Sequence, residues 1–482
     1  MTLRPEAETA VESEPARKSA VEHRSIEFIP LDERHGTVRS LFTLWFGANM
    51  QITTIAAGAI AISIGVPLPW AIVACILGNL IGAVFMALHS AQGPLLGIPQ
   101  MIQSRAQFGF YGAVLPIVLV ILMYVGYFAS SAVLGGQALA SWTGLPVDLS
   151  IVLVSCVVVV LTVFGYRLMH AAEKWISLLT LVAFGILSVV MFGSNGLGHA
   201  WTAGSFEFGP FLLAVAIAAT WQLTYAPYVA DYSRYLPPST KVGASFWYTY
   251  AGTVISSIWM FILGAVGAAT AGDAFQGGSV DFLVGQVGGF SWFFFAVIVV
   301  GIVGVQSLNL YGLYMSISTT LNSLFKVRIR FNVRVALILV SAVIATGLAV
   351  AGRTNFLDNF TNFILLLAYF LIPWTSINLA DFYLVRKEKY SLQAIFDPKG
   401  EYGGVDWRSL TAYLVGVAIE VPFVNSDFFQ GPMVNLLGGA DISWILGIFA
   451  SGGAYVFLMR KYPARKKYPA AESAEFAAGE VH

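Results

Sequence analysis

The stretch Gly47-Ala48-Asn49-Met50-Gln51 interrupts a hydrophobic segment that runs from Leu41 to Pro67. Lipid favours an unbroken apolar helix here. Backbone N–H and C=O groups that leave a helix at membrane depth need other partners, and a solute or ion in a protein-lined cavity is one of the few candidates. The sixth hydrophobic segment is interrupted as well, by Thr220-Trp221-Gln222 and then Thr224-Tyr225-Ala226-Pro227. Two broken segments at corresponding positions of two halves point to a secondary transporter built from inverted repeats, with its site at the breaks.

The rest of the chain has the composition this requires. Of 482 residues, 57% are apolar, 14% aromatic and only 11% charged, with a mean hydropathy of +0.75; this is an integral membrane protein and not a soluble domain. Segments of about 20 apolar residues begin near Leu41, Trp70, Tyr111, Ser150, Trp175, Gly209, Gly243, Ser291, Val333, Thr361, Leu410 and Ile442, which makes twelve transmembrane helices. With the amino terminus inside, 25 of the 26 Lys and Arg residues, all but Arg353, fall on the cytoplasmic side. Both termini are therefore placed in the cytoplasm, in the inner membrane of a cell. The zero net charge reflects sorting by side, and the basic loops carry no nucleic-acid footprint. Cys75 and Cys156 lie inside predicted helices, which excludes a disulfide framework and makes them packing residues.

The breaks divide the chain. Residues 1–38 read as a cytoplasmic tail, 39–195 and 205–386 as two five-helix repeats, and 387–408 as a charged cytoplasmic loop. Residues 409–460 hold two peripheral helices and 461–482 a second tail. The fold class expected is thus all-α, twelve-helix, with a 5+5 inverted repeat whose helices one and six are broken. Glycines inside spans, such as Gly264 with Gly267 and Gly301 with Gly304, predict close helix packing. The third and eighth helices look about 30 residues long, which implies tilt or extension beyond the bilayer.

Candidate binding residues cluster on those two long helices. The third places Tyr124, Tyr127, Phe128 and Ser131 at spacings of three and four, an aromatic face with a hydroxyl. The eighth places Gln306, Asn309 and Leu313 on one face; an amide at mid-membrane bonds either a partner helix or a ligand. Asn309 offers donor and acceptor together, as the edge of a heterocyclic amide requires. No Asp, Glu, Lys, Arg or His falls at the middle of the ten core helices, which favours a neutral, planar solute. Glu420, just before Pro422 in the eleventh helix, is the clear intramembrane acid, and a packing or interfacial role is favoured for it over proton carriage. A membrane enzyme would need a cluster of His, Cys or acidic residues at one depth, and neither that nor a metal-ligand set is found. The chain lacks a phosphate-binding Gly-Lys-Ser or Gly-Lys-Thr loop, which argues against direct ATP drive. No organic cofactor is expected.

Five stretches carry a family resemblance: Glu22 to Pro30; Leu44-Trp45-Phe46-Gly47-Ala48-Asn49; Gly93-Pro94-Leu95-Leu96-Gly97-Ile98-Pro99 with Ser104-Arg105; Ala226-Pro227-Tyr228-Val229-Ala230-Asp231-Tyr232; and Pro373-Trp374 with Asp381-Phe382-Tyr383. With Asn309-Leu310-Tyr311, the chain over residues 22 to 390 resembles the nucleobase-cation symporter family, of the purine-cytosine permease type. The resemblance implies a leucine-transporter-like fold that imports a nucleobase, or a related heterocycle such as allantoin, hydantoin, uracil or a vitamin precursor, with H+ or Na+. Carried over by motif, the substrate residues are Gly47, Gln51, Tyr127, Ser131, Trp221 or Tyr225, and Asn309; Thr224 in the second break and Gln306 on the eighth helix join them from the reading of the residues, and Gly47, Met50 and Gly304 are the cation positions expected. Two departures stand out: Tyr127 and Ser131 replace the Trp and the Asn or Gln common in relatives, and Val303-Gly304-Val305 replaces the hydroxyl residues of sodium-dependent members. The partners expected are the small heterocycle and membrane lipid, the chain acting as a monomer.

Overall fold

In the computed structural model the described residues are 28–463, except 35, 165, 194–196, 273, 274, 276, 277, 326, 328 and 329; the side chains of 166–174 are also left aside. The tails expected at 1–38 and 461–482 therefore lie mostly outside the described residues. What is described is helical, with one isolated antiparallel bridge, Asn425 to Gln430.

Fourteen helices carry the architecture. They are α1 (Arg39–Ala48), α2 (Ile52–Ser63), α3 (Leu68–His89), α4 (Val114–Thr143), α5 (Val147–Phe164), α6 (Tyr166–Phe192) and α7 (Phe208–Leu223), then α8 (Val229–Ser233), α9 (Val242–Ala271), α10 (Ser291–Phe325), α11 (Phe331–Gly352), α12 (Phe356–Leu379), α13 (Trp407–Glu420) and α14 (Ser443–Lys461). Among the described residues ten helices are long and apolar enough to cross a membrane, or eleven if α1 and α2 count as one bent span. The remaining expected segment, from Leu410, forms α13, whose 14 residues are continued by the 3-10 turn Val421–Phe423. Pro422 cannot continue the α-helical ladder.

The first break is a sharp one. The axes of α1 and α2 differ by 62°, because Gln51 adopts an extended conformation (φ −144°, ψ 156°). The turn closes on itself through Met50 N–H to the Gly47 carbonyl, 2.9 Å, and Gln51 N–H to the Asn49 carbonyl, 2.8 Å. The second is milder: α7 ends at Leu223, a 3-10 turn covers Ala226–Tyr228 around Pro227, and α8 resumes the same span to Ser233.

Backbones meet closely in one group of spans. A side chain at Gly58 would overlap the Phe261 carbonyl oxygen, and one at Gly264 that of Ile55, so α2 and α9 touch main chain to main chain. Gly78 and Gly82 do the same for α3 against Val215 and Ala219 of α7, and Gly252 of α9 against Phe42 of α1. In a second group, Gly135 and Gly136 of α4 receive Ile302 of α10 and Ile151 of α5. Gly301 and Gly304 depart from the packing role read for them: they face the Thr180 and Ile176 side chains of α6 across the edge of a cavity. Cys75 is buried, whereas Cys156 is exposed on the outer surface of α5 and packs no core.

Helix α12 packs against both groups, and the α13–α14 pair packs on α12 and on itself. The connection 387–408 is a built element rather than a slack link. Phe110 and Tyr111 N–H groups donate to the Gly403 and Gly404 carbonyls, at 2.9 and 2.7 Å, and the Asp406 N–H donates to the Phe108 carbonyl at 2.8 Å.

Candidate functional site

The two breaks meet at one carboxamide. Asn49 Oδ1 accepts hydrogen bonds from the Trp221 indole N–H and the Tyr225 hydroxyl, each 3.0 Å. Its Nδ2 donates to the Trp45 carbonyl at 3.1 Å and to Thr253 Oγ1 at 3.2 Å. The Thr253 hydroxyl then donates to Gln222 Oε1 at 2.7 Å, and Gln222 Nε2 donates to Asn79 Oδ1 at 2.8 Å and Ser257 Oγ at 2.7 Å. All of these side chains are buried. Polar groups removed from water are costly unless paired, and here each amide is nearly saturated, so the network holds both irregular backbones in one arrangement.

Beside this network lies a cavity of about 490 Å³. Gly47, Met50, Gln51, Tyr127, Ser131, Trp221, Tyr225, Gly304 and Asn309 all line it. Thr224 and Gln306 do not. Thr224 donates its hydroxyl to the Trp221 carbonyl at 2.8 Å, so the Tyr127 hydroxyl, 2.7 Å away, is the donor to Thr224 Oγ1. Gln306 Nε2 donates to the Phe128 carbonyl at 2.9 Å, tying α10 to α4, which is the helix-to-helix alternative for a membrane amide. The face read on the third helix also divides: Phe128 is in the core, and Tyr124 lines a smaller neighbouring cavity of about 190 Å³.

The aromatic geometry differs from a ready stacking slot. Tyr127 meets Trp221 edge to face, with centroids 5.9 Å apart and planes at 86°, and meets Phe363 likewise at 5.1 Å and 84°. Sandwiching a planar solute needs parallel rings about 7 Å apart; a flat ring here lies on one face at a time. Phe261 and Phe360 back Trp221 at 5.8 and 6.4 Å. The cavity runs the other way, along Ser40, Leu41, Thr43 and Leu44 to the amino-terminal end of α1, and joins the smaller cavity through Tyr228, Tyr232 and Leu308.

Tyr228, Tyr232, Ser177 and Thr180 line the cavity and Asn49 joins the two breaks beside it, none of them assigned by pattern reading. Asn49 was visible inside the break; its role as an acceptor for two aromatic donors needed the fold. A side chain at Gly47 would strike the Ser177 hydroxyl at 2.9 Å, so this glycine makes room for the fifth predicted helix.

Replacing Tyr127 with Phe removes one hydroxyl bond to Thr224 and keeps the ring. The net loss is about 1 kcal/mol of stability, so a slightly lowered thermal midpoint in detergent is expected with uptake largely retained.

The family model for permeases of cytosine/purines, uracil, thiamine and allantoin matches residues 28–447. The chain belongs to this family. Over 447 residues it is 45% identical to YxlA of Bacillus subtilis, a protein provisionally named a purine-cytosine permease, covering 93% of this chain and 97% of that one. It is 27% identical to the purine-cytosine permease fcyB of Emericella nidulans, over 91% and 88% of the two chains. Among solved structures, the inward-facing conformation of Mhp1 superposes with a TM-score of 0.76 at 21% identity, covering 95% of this chain and 98% of that chain. This permease thus has the fold of Mhp1 and is a multi-pass membrane protein.

Proposed function

We propose that the chain is a secondary active symporter that imports a nucleobase, such as cytosine or a purine, across the cytoplasmic membrane by alternating access. One observation carries this reading. Among the described residues no charged side chain lines the large cavity, while the Asn309 amide lines it without a hydrogen bond to the chain. An unpaired amide beside aromatic faces matches a neutral ring with an amide edge. Gly47, Gln51, Ser131 and the backbone near Thr224 would complete the polar contacts, with Tyr127 and either Trp221 or Tyr225 supplying the aromatic surface. Burying one ring with two or three hydrogen bonds gives on the order of −6 to −8 kcal/mol, near micromolar affinity.

The coupling ion is H+ or Na+, and Gly47, Met50 and Gly304 are the backbone positions proposed for a metal cation. Twelve crossings, with α13 and its 3-10 extension as the eleventh, two five-helix repeats at 39–195 and 205–386, and both termini in the cytoplasm follow from the loop charges and the paired breaks. On that topology the cavity opens inward. Another planar N-heterocycle is the second reading, favoured by Ser131, which offers a hydroxyl where an amide would fix a base.

The test is uptake of labelled cytosine, adenine, hypoxanthine, uracil and allantoin in transport-deficient cells, with sodium and pH gradients imposed separately. Accumulation of one base supports the reading. Accumulation of none removes it.

A further inference from the structure

We propose that Glu420 is a proton-binding site of this permease, loaded from the outer face and linked to the solute cavity through α12. The proposal rests on the transport reading above and adds the identity and place of the coupling ion. Glu420 is 1% exposed, and neither of its carboxyl oxygens has a hydrogen-bond partner. It packs directly on Gly447 of α14, where any side chain would overlap Oε1. A cavity of about 160 Å³ adjoins it, lined also by Tyr369, Phe428 and Phe429, at the end of the molecule that the proposed topology places outside.

The groups facing Glu420 are all acids or phenols. They are Asp441 in the connection before α14, Tyr369 on α12 and Tyr413 on its own helix; at this depth α14 and the turn Val421–Phe423 contribute no titratable group. Asp441 is fully served: it accepts from the Tyr369 hydroxyl at 2.7 Å, the Asn425 N–H at 3.0 Å, and the Ser443 N–H and hydroxyl at 2.9 and 2.5 Å. With no donor to stabilise a charge and a second carboxyl nearby, the Glu420 carboxyl holds a proton. An ionised Glu420 in this arrangement would be a buried charge without a counterion, so losing the proton requires the packing around it to open to water.

Part of that packing is α12. Tyr369 joins it to Asp441, and two turns earlier Phe360 and Phe363 rest on Trp221 and Tyr127 of the solute cavity. A conformation that opens this outer seam and one that closes it therefore differ in proton affinity at Glu420, and a ligand with different affinity for two states biases them. Helix α10 supplies no side-chain hydroxyl at positions 303–305 to serve a sodium ion instead.

The full-length protein in proteoliposomes tests this. With the lumen one pH unit more alkaline, wild type should concentrate the transported base up to about tenfold, the ratio one proton per solute sustains. Glu420→Gln should bring internal and external base to equality while gradient-free counterflow of the base continues, which also reports that the variant is folded. Glu420→Asp, which keeps the acid, should restore accumulation with a displaced pH profile. Accumulation by Glu420→Gln equal to wild type overturns the proposal, as does wild-type accumulation that follows sodium and ignores pH. If wild type carries no base in counterflow, the transport reading falls and this proposal with it.

Discussion

Asn309→Ala is expected to abolish specific uptake while the protein still reaches the membrane in normal amount. The amide is unpaired within the chain and faces a cavity without charges, so its donor and acceptor are available to a heterocyclic amide edge. Truncation leaves the solute's polar edge buried and unmatched. Two such bonds together amount to roughly 2–4 kcal/mol, a loss of about 30- to 1000-fold in affinity. Initial-rate uptake alongside surface labelling measures it. Undiminished uptake by the variant would sink the site assignment.

Asn49→Ala is the second large effect, and it acts through a different route. Removing this side chain strands the buried Trp221 indole N–H and takes one partner from the Tyr225 hydroxyl, which keeps Gln51 within hydrogen-bond reach. The orphaned indole donor costs about 1–3 kcal/mol of stability. A lowered thermal midpoint in detergent and loss of uptake are expected together. An unchanged midpoint would mean that the two breaks are not held through Asn49 in the working protein.

The breaks themselves were legible because lipid makes polar backbone conspicuous: Gly47 to Gln51 and Trp221 to Pro227 stand out against apolar runs whatever their neighbours are. Tyr127, Ser131 and Asn309 stand out for the same reason, as polar groups at membrane depth, and all three line the large cavity. What the sequence withheld was which polar residue faces which neighbour. Gln306 and Asn309 lie three apart on one helix face, yet a single carbonyl, that of Phe128, captures the first and leaves the second open. The glycines behaved similarly: Gly264 and Gly301 look alike in sequence, and only the position of α2 or α6 beside them decides between helix contact and cavity wall. Helix α13 was read from its apolar composition, and the structure starts it at the Asp406 cap and continues it past Glu420 as a 3-10 turn at Pro422.

The hydrogen bonds described above are unevenly distributed, and the distribution sets a mechanical property. Within the group formed by α1, α2, α3, α7 and α9, buried amides and hydroxyls are cross-linked and backbones touch at glycines, so the group resists shear. Between that group and α4 with α10, the ties include Tyr127 to Thr224 and Thr53 to Ser131, hydroxyl pairs at 2.7 and 3.3 Å. Each such pair contributes only about 1 kcal/mol net. The polar ties named across the cavity are therefore weaker than those that cross-link the interior of the first group.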